Sequence, residues 1–179
     1  MIQIRERQMD DRTLLDFTKE LLASTRNTGC LVLVNDRVDI AIAAGAAGVH
    51  IKSNGVTAAD VRSLAPDRFV IGRSIHSADE AVAAEREGGY AYVLFGTVFP
   101  SASKSPEHAI AGVEMLRDVC SRTSLPVVAI GGITPSRAAE VARAGATGAA
   151  AIAYFAEAPD TAEAVASLKA ALTRFRDRV

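Results

Sequence analysis

Residues 126–135, Pro-Val-Val-Ala-Ile-Gly-Gly-Ile-Thr-Pro, carry the clearest structural signal of the chain. The Val-Val-Ala-Ile run is short, apolar and uninterrupted, which is typical of a strand buried on both faces. Gly131 and Gly132 then remove side chains where that strand opens into a loop. Thr134 suits the cap of a following helix and Pro135 its first turn, so free backbone N–H groups gather just after the strand. We therefore predict a phosphate site here, although a helix cap followed by a turn would use the same glycines.

Outward from this stretch, the alternation of apolar strand, short loop and helix recurs along the whole chain, which predicts a parallel sheet. The predicted strands are residues 1–6, 31–34, 48–51, 69–72, 90–95, 127–130 and 148–152. The predicted helices are residues 11–25, 38–44, 57–64, about 78–87 and 111–120, one after Thr134 and one at the chain end. Capping boxes are predicted at Thr57 with Asp60 and at Ser77 with Glu80. Glycines and helix starts at one rim favour a TIM (β/α)8-type barrel over a doubly wound sandwich.

Seven strands are one fewer than a closed (β/α)8 barrel contains. The chain starts directly on a strand, so we expect the first β/α unit to be the missing one. The first and last strands would then have unpaired edges, which a second copy in a homo-oligomer would cover. Residues 1–179 are expected to form a single domain of this kind.

Composition restricts the class of protein. The formal net charge is −1, so nothing indicates binding to nucleic acid or to an anionic membrane. No apolar stretch is long enough to span a bilayer, and we expect a cytoplasmic protein. The two cysteines, Cys30 and Cys120, lie far apart in sequence and are interpreted as inert thiols.

In a barrel of this type, functional side chains lie at the carboxyl ends of the strands. The side chains at these ends are Gln3, Arg5 and Arg7; Asn35 and Asp36; His50, Lys52 and Asn54; Arg73, Ser74 and His76; Thr97, Ser101, Ser103 and Lys104; and Gly131 with Gly132. The cations among them indicate phosphorylated small-molecule substrates. For several of these cations, above all Arg7 and Arg73, the pattern is equally consistent with a surface charge that pairs with Asp or Glu.

Three further features point to chemistry. Asp36 directly follows a strand and suits Mg2+, but it would also suit the N-cap of the next helix. His50 and His76 are candidate proton carriers, although a histidine at a strand end is often structural. The segment 101–104, Ser-Ala-Ser-Lys, lies in the longest loop and is predicted to bind an anion.

These residues, in this order and spacing, resemble the thiamine phosphate synthase/TenI family. The motifs that carry the resemblance are residues 3–7 (QIRER), 35–39 (NDRVD), 48–50 (GVH), 71–77 (IGRSIHS), 96–104 (GTVFPSASK) and 130–133 (IGGI). The resemblance implies a (β/α)8 barrel that joins hydroxymethylpyrimidine diphosphate to thiazole phosphate with the help of Mg2+. It implies that Gln3, Arg5, Arg7, Asn35 and Lys104 bind pyrophosphate, that Asp36 binds the metal and that Ser74 lies near the pyrimidine. Ser101, Ser103, Gly132 and the backbone at Ile152 and Ala153 would hold the thiazole phosphate.

Three positions depart from the family pattern. Arg7 replaces a lysine, Gly55 stands where a second metal carboxylate is expected, and Ala153 replaces a serine. Some stretches look closer to the TenI-type thiazole tautomerases, which need neither diphosphate nor Mg2+, but their catalytic histidine corresponds to Thr97. The sequence thus predicts a thiamine-phosphate-synthase-type transferase, with a tautomerase or a non-catalytic thiazole phosphate or thiamine binder as alternatives.

Overall fold

A computed structural model describes residues 1–101 and 110–176 of the chain. Its strands are β1 (Ile2–Ile4), β2 (Val32–Asn35), β3 (Gly48–Ile51), β4 (Val70–Ile75), β5 (Tyr92–Phe95), β6 (Val127–Ile130) and β7 (Gly148–Ala150). Its helices are α1 (Asp11–Ser24), α2 (Val38–Ala44), α3 (Ala58–Arg62), α4 (Ala78–Glu87), α5 (Gly112–Arg122), α6 (Pro135–Arg143), α7 (Ala153–Ala156) and α8 (Thr161–Arg176). Strand and helix alternate from β1 to α7, as the sequence predicts, and a second helix, α8, follows α7. The described residues contain seven strands, the predicted number.

The chain packs as two compact units. The first contains Met1–Ser74 and Glu87–Ala91, and the second contains Ile75–Arg86 and the described residues from Tyr92 onward. The expectation of one domain over residues 1–179 stays a prediction.

In the first unit, β1 pairs with β2, β2 with β3 and β3 with β4, always in parallel. All four residues of β3 are buried, as the apolar pattern predicts. Gly48 begins this strand because a side chain there would run into the carbonyl oxygen of Val70 on β4. The absence of a side chain at Gly48 therefore lets the first residues of β3 and β4 pack closely.

In the second unit, β6 pairs in parallel with β5 on one side and with β7 on the other. Its core contains Phe95 of β5, Leu116 of α5 and Ala138 of α6, each fully buried. Burial raises the pKa of Cys120 on α5 to about 11, so its thiol stays protonated at neutral pH, as expected for an inert thiol. No helix in the described part of the chain is long and apolar enough to cross a membrane.

The helix caps show where local sequence rules hold and where they fail. Thr57 and Asp60 form the predicted capping box at α3, with both reciprocal hydrogen bonds present. At Ser77 only half of the predicted box is present, because the Glu80 carboxylate accepts from the His76 N–H instead. Thr134 occupies the N-cap of α6 but makes no capping hydrogen bond. The predicted cap position is therefore correct, while the Thr134 hydroxyl lies 2.9 Å from the Ser136 hydroxyl.

Candidate active site

Asp36 occupies an unusual backbone conformation directly after β2. Its φ is +57°, in the left-handed region that costs a residue with a side chain about 1 kcal/mol. Its Oδ1 accepts from the Lys52 N–H at 2.8 Å, and its Oδ2 accepts from the Asn35 side-chain amide at 2.9 Å. The N-cap position of α2 is Arg37 and carries no side-chain cap. The alternative interpretation of Asp36 as a helix cap is therefore wrong.

A chain of side-chain amides orients this carboxylate. A carboxylate accepts hydrogen bonds only, so Asn35 must turn its Nδ2 towards Asp36. Its Oδ1 then accepts from Gln3 Nε2 at 2.8 Å. Gln3 keeps its Oε1 and a second N–H for other partners. The three side chains thus form a single directional network at the ends of β1 and β2.

The donor set near Asp36 fits a magnesium ion that substrate phosphates help to hold. Mg2+ is usually bound through one or two carboxylates together with substrate oxygens and water. Among the described residues there is no cluster of three or more His, Cys, Asp or Glu side chains that could form a complete metal cage. Gly55 has no room for a side chain, since a Cβ there would lie 2.5 Å from Ile51 Cγ2. Position 55 therefore offers no second carboxylate, and the predicted role of Asp36 as a Mg2+ ligand stays a prediction.

His50 and Ser74 form a hydrogen-bonded pair on the neighbouring strands β3 and β4. His50 Nε2 lies 2.8 Å from Ser74 Oγ. The histidine is fully buried, and this burial lowers the pKa of His50 to about 4. The ring is thus neutral at physiological pH, which supports the structural interpretation of this histidine.

The arginines of the first unit differ in their surroundings. Arg5 and Arg7 are exposed, and neither forms an ion pair with a residue that the structure describes. Arg73 is instead held by the Tyr90 hydroxyl and the Ser53 carbonyl oxygen, at 2.5 and 2.7 Å. Glu87 adds an ion pair at 3.8 Å. Arg73 is therefore a charge paired with a glutamate, which is the alternative to a ligand role, whereas Arg5 and Arg7 are accessible to a ligand.

In the second unit, the double glycine packs tightly against the segment that follows β5. Gly131 has a φ of +105°, and a Cβ there would lie 2.8 Å from the Cα of Thr97. A Cβ on Gly132 would meet the carbonyl oxygen of Pro100. The Phe99 N–H donates to Gly131 O at 3.1 Å. Both glycines are therefore needed for close approach of two backbone segments, which a plain turn would not require.

Arg137 fastens this double-glycine loop from the first turns of α6. Its Nη1 donates to the Gly132 carbonyl oxygen at 2.6 Å. Its guanidinium lies 4.7 Å from the centre of the Phe99 ring. The sequence gives no signal for this contact, because the pattern around Arg137 is that of an ordinary helix.

The remaining predicted site residues of the second unit vary in accessibility. Exposed His76 has its Nδ1 3.2 Å from Gly96 O. Thr97 is buried, Ser101 is half-buried, and Ile152 is 56% exposed. Ala153 begins α7 and is half-buried. Ser103 and Lys104 lie outside the described residues, so their predicted roles stay predictions.

A comparison with protein families identifies the chain. Residues 1–155 match the family model described as thiamine monophosphate synthase, TMP-TENI. The chain belongs to the thiamine monophosphate synthase family. The resemblance seen in the sequence motifs is thereby confirmed.

Individual relatives extend the family match over nearly the whole chain. The thiamine-phosphate synthase of Methanocella arvoryzae is 39% identical over 98% of this chain and 82% of its own length. That of Chlorobium limicola is 40% identical over 89% of this chain and 76% of its own length. A solved structure of thiamine phosphate pyrophosphorylase from Pyrococcus furiosus, 32% identical, matches with a TM-score of 0.85 over 97% of this chain and 83% of that one. The predicted TIM-type α/β fold class is confirmed by this family structure.

Proposed function

We propose that the chain is a thiamine-phosphate synthase that joins hydroxymethylpyrimidine diphosphate to thiazole phosphate, giving thiamine phosphate and pyrophosphate. The observation that carries the proposal is the oriented Asp36 carboxylate, in a member of this family. Relatives named thiamine-phosphate synthase, which are 36 to 40% identical, support the same activity.

The chemistry explains why cations and amides suffice as catalytic groups. The bond between the pyrimidine methylene carbon and the diphosphate oxygen breaks, and its electron pair leaves with pyrophosphate. The thiazole nitrogen then donates its lone pair to that carbon, and no proton needs to move. The barrier is charge separation, so fixed positive groups around the leaving group lower it. Arg5, Arg7 and Lys104 are proposed for this role.

The proposed metal is Mg2+, bound by Asp36. When bound, it neutralises charge on the leaving pyrophosphate. Asn35 and the Lys52 N–H keep the carboxylate in one orientation, which lowers the entropy cost of binding the ion. Gln3 and Asn35 keep polar atoms for the diphosphate, and the Ser74 hydroxyl, fixed by neutral His50, is proposed to face the pyrimidine.

The second substrate is proposed to bind through backbone groups. Gly131 and Gly132 leave the loop after β6 free of side chains. Backbone N–H groups at a helix start bind phosphate well. Together with Ser101, Ser103 and the backbone at residues 152–153, this loop is proposed to hold the thiazole phosphate.

The test is formation of thiamine phosphate and pyrophosphate in equal amounts from the two substrates, with and without Mg2+. Asp36→Asn removes the charge but keeps a residue that tolerates the left-handed backbone, and we expect its rate to fall at least a hundredfold. Asp39→Asn is the matched control, because Asp39 is an exposed carboxylate paired with Arg37, and its rate should stay within twofold. A wild type that binds thiazole phosphate but forms no product at any Mg2+ concentration would support the non-catalytic binder instead.

One observation favours a second candidate, a thiazole tautomerase. The Nδ1 of His76 lies 3.2 Å from Gly96 O; if it donates there, Nε2 is left to accept a proton. Thr97, at the family's histidine position, cannot act as a base at neutral pH. Interconversion of thiazole phosphate isomers in D2O, with deuterium incorporation that His76→Gln abolishes, would support this activity. Absence of exchange in the wild type would eliminate it.

A further inference from the structure

Arg73 lies at the centre of a compact cluster of polar groups in the first unit. Its Nη1 donates to the Tyr90 hydroxyl and its Nη2 to the Ser53 carbonyl oxygen. The Tyr90 hydroxyl donates in turn to Glu87 Oε1 at 2.6 Å. The same Glu87 oxygen accepts from the Ala58 N–H, the first of α3, at 2.9 Å. The side chain of Arg73 is only 18% exposed, so little of its charge is available to a ligand.

Strand geometry separates Arg73 from the substrate-facing side of β4. Successive side chains of a strand point to opposite faces. Ser74, the next residue, contacts His50 of β3, so Arg73 points away from that pair. This argues against the predicted role of Arg73 as a substrate ligand.

The group that Arg73 holds is the turn between β3 and α3. This turn, residues 52–55, is closed by a hydrogen bond from the Gly55 N–H to the Lys52 carbonyl oxygen at 2.9 Å. One side of the turn carries the Ser53 carbonyl that accepts from Arg73. The other side carries the Lys52 N–H that donates to Asp36 Oδ1 at 2.8 Å. The turn is therefore fastened between the Arg73 guanidinium and the Asp36 carboxylate.

We propose that Arg73 is a positioning residue that fixes the turn at residues 52–55 and, through the Lys52 N–H, the orientation of the Asp36 carboxylate. Arginine suits this role because its rigid planar guanidinium presents N–H donors in fixed directions, whereas lysine carries a compact charge on a flexible stem. The metal-binding part of the inference rests on the proposed function, while the part that concerns the turn does not.

Amide hydrogen exchange of the intact protein tests the turn directly. In Arg73→Gln, the Lys52 and Gly55 amides should exchange at least tenfold faster than in the wild type, because the Ser53 carbonyl oxygen loses its hydrogen bond from Arg73. Arg73→Lys should be intermediate. Arg122→Gln is the matched control, because Arg122 is also an ion-paired arginine but belongs to the second unit, and it should leave both amides unchanged.

Binding of Mn2+ in the presence of inorganic pyrophosphate, followed by electron paramagnetic resonance, tests the link to Asp36. Removal of a group that orients a metal ligand typically weakens binding by 10- to 100-fold, so Arg73→Gln should weaken Mn2+ binding by about tenfold. Tyr90→Phe removes one Arg73 contact conservatively and should act in the same direction, and it carries the test if Arg73→Gln does not fold. Unchanged exchange and unchanged Mn2+ affinity in the folded variants would overturn the proposal. A wild type without synthase activity would instead count against the proposed function alone.

Discussion

Replacement of Gly131 by alanine tests the packing that shapes the proposed phosphate loop. The new methyl group would lie 2.5 Å from Thr97 Cγ2 and 2.8 Å from its Cα. Overpacking of this kind costs about 1–3 kcal/mol, and a side chain at positive φ adds about 1–2 kcal/mol. We expect a loss of about 3 kcal/mol in the free energy of unfolding, which lowers the Tm of a chain of this size by roughly 6–12 °C.

Gly45→Ala is the control that separates these two costs. Gly45 has a φ of +76°, but nothing lies within 4 Å of a Cβ built there. Its substitution should therefore cost only the conformational part, about 1 kcal/mol. Urea unfolding of both variants gives the difference, and the KM for thiazole phosphate should rise only in Gly131→Ala. Equal stabilities of the two variants would refute the close contact between the glycine loop and Thr97.

Three further predictions concern single side chains. Lys104→Ala should remove about 2–4 kcal/mol of transition-state stabilisation and so slow thiamine phosphate formation. The control Lys19→Ala changes an exposed lysine and should not alter the rate. If Lys104→Ala forms product as fast as the wild type, Lys104 has no catalytic role. His50 has a folded pKa of about 4 against 6.5 unfolded, so between pH 6.5 and 4 the unfolded state binds the extra proton and stability falls with falling pH. Over this pH range the free energy of unfolding should fall by about 3 kcal/mol because of His50. In His50→Gln, urea unfolding at several pH values should show a weaker dependence of this free energy on pH. The same dependence in the variant and the wild type would contradict the lowered pKa of His50. Thr57→Ala should cost about 1 kcal/mol of unfolding free energy because it removes a capping hydrogen bond, and Thr134→Ala should cost little; equal losses would show that the two caps do not differ.

The fold could be predicted from the sequence because its signals are local. The bounds of α2, β3 and β6 match the predicted ranges, since apolar runs and a glycine in the left-handed region after α2 mark them. β4 continues to Ile75, beyond the predicted end at residue 72. The sequence pattern therefore places Arg73 and Ser74 after the strand, whereas they belong to it. Arg73 and Ser74 interrupt the apolar pattern that marks a buried strand, and their hydrogen-bond partners, Tyr90 and His50, lie elsewhere in the chain.

The site could be predicted as a set of residues but not as a set of contacts. The sequence pattern leaves Asp36 as either a metal ligand or a helix cap, and the helix cap is excluded by contacts such as that with the Lys52 N–H, 16 residues away. Its charge and position group Arg73 with the predicted phosphate-binding cations, although Tyr90, 17 residues away, accepts a hydrogen bond from it. No local pattern marks Tyr90 or Glu87 as partners. Long-range hydrogen bonds thus decide roles that residue type alone leaves open.

Backbone strain gives an independent reason to regard Asp36 as functional. Gly131, after β6, also has a positive φ, but glycine adopts it at no steric cost. Glycine would likewise relieve the strain at position 36, yet it would leave the Lys52 N–H and the Asn35 amide without their acceptor. A strained conformation persists where surrounding contacts require the side chain, and such positions cluster at functional sites. The contacts of Lys52 and Asn35 therefore require a carboxylate at position 36. The proposed binding of Mg2+ gives a reason for the conformational cost of the left-handed backbone there.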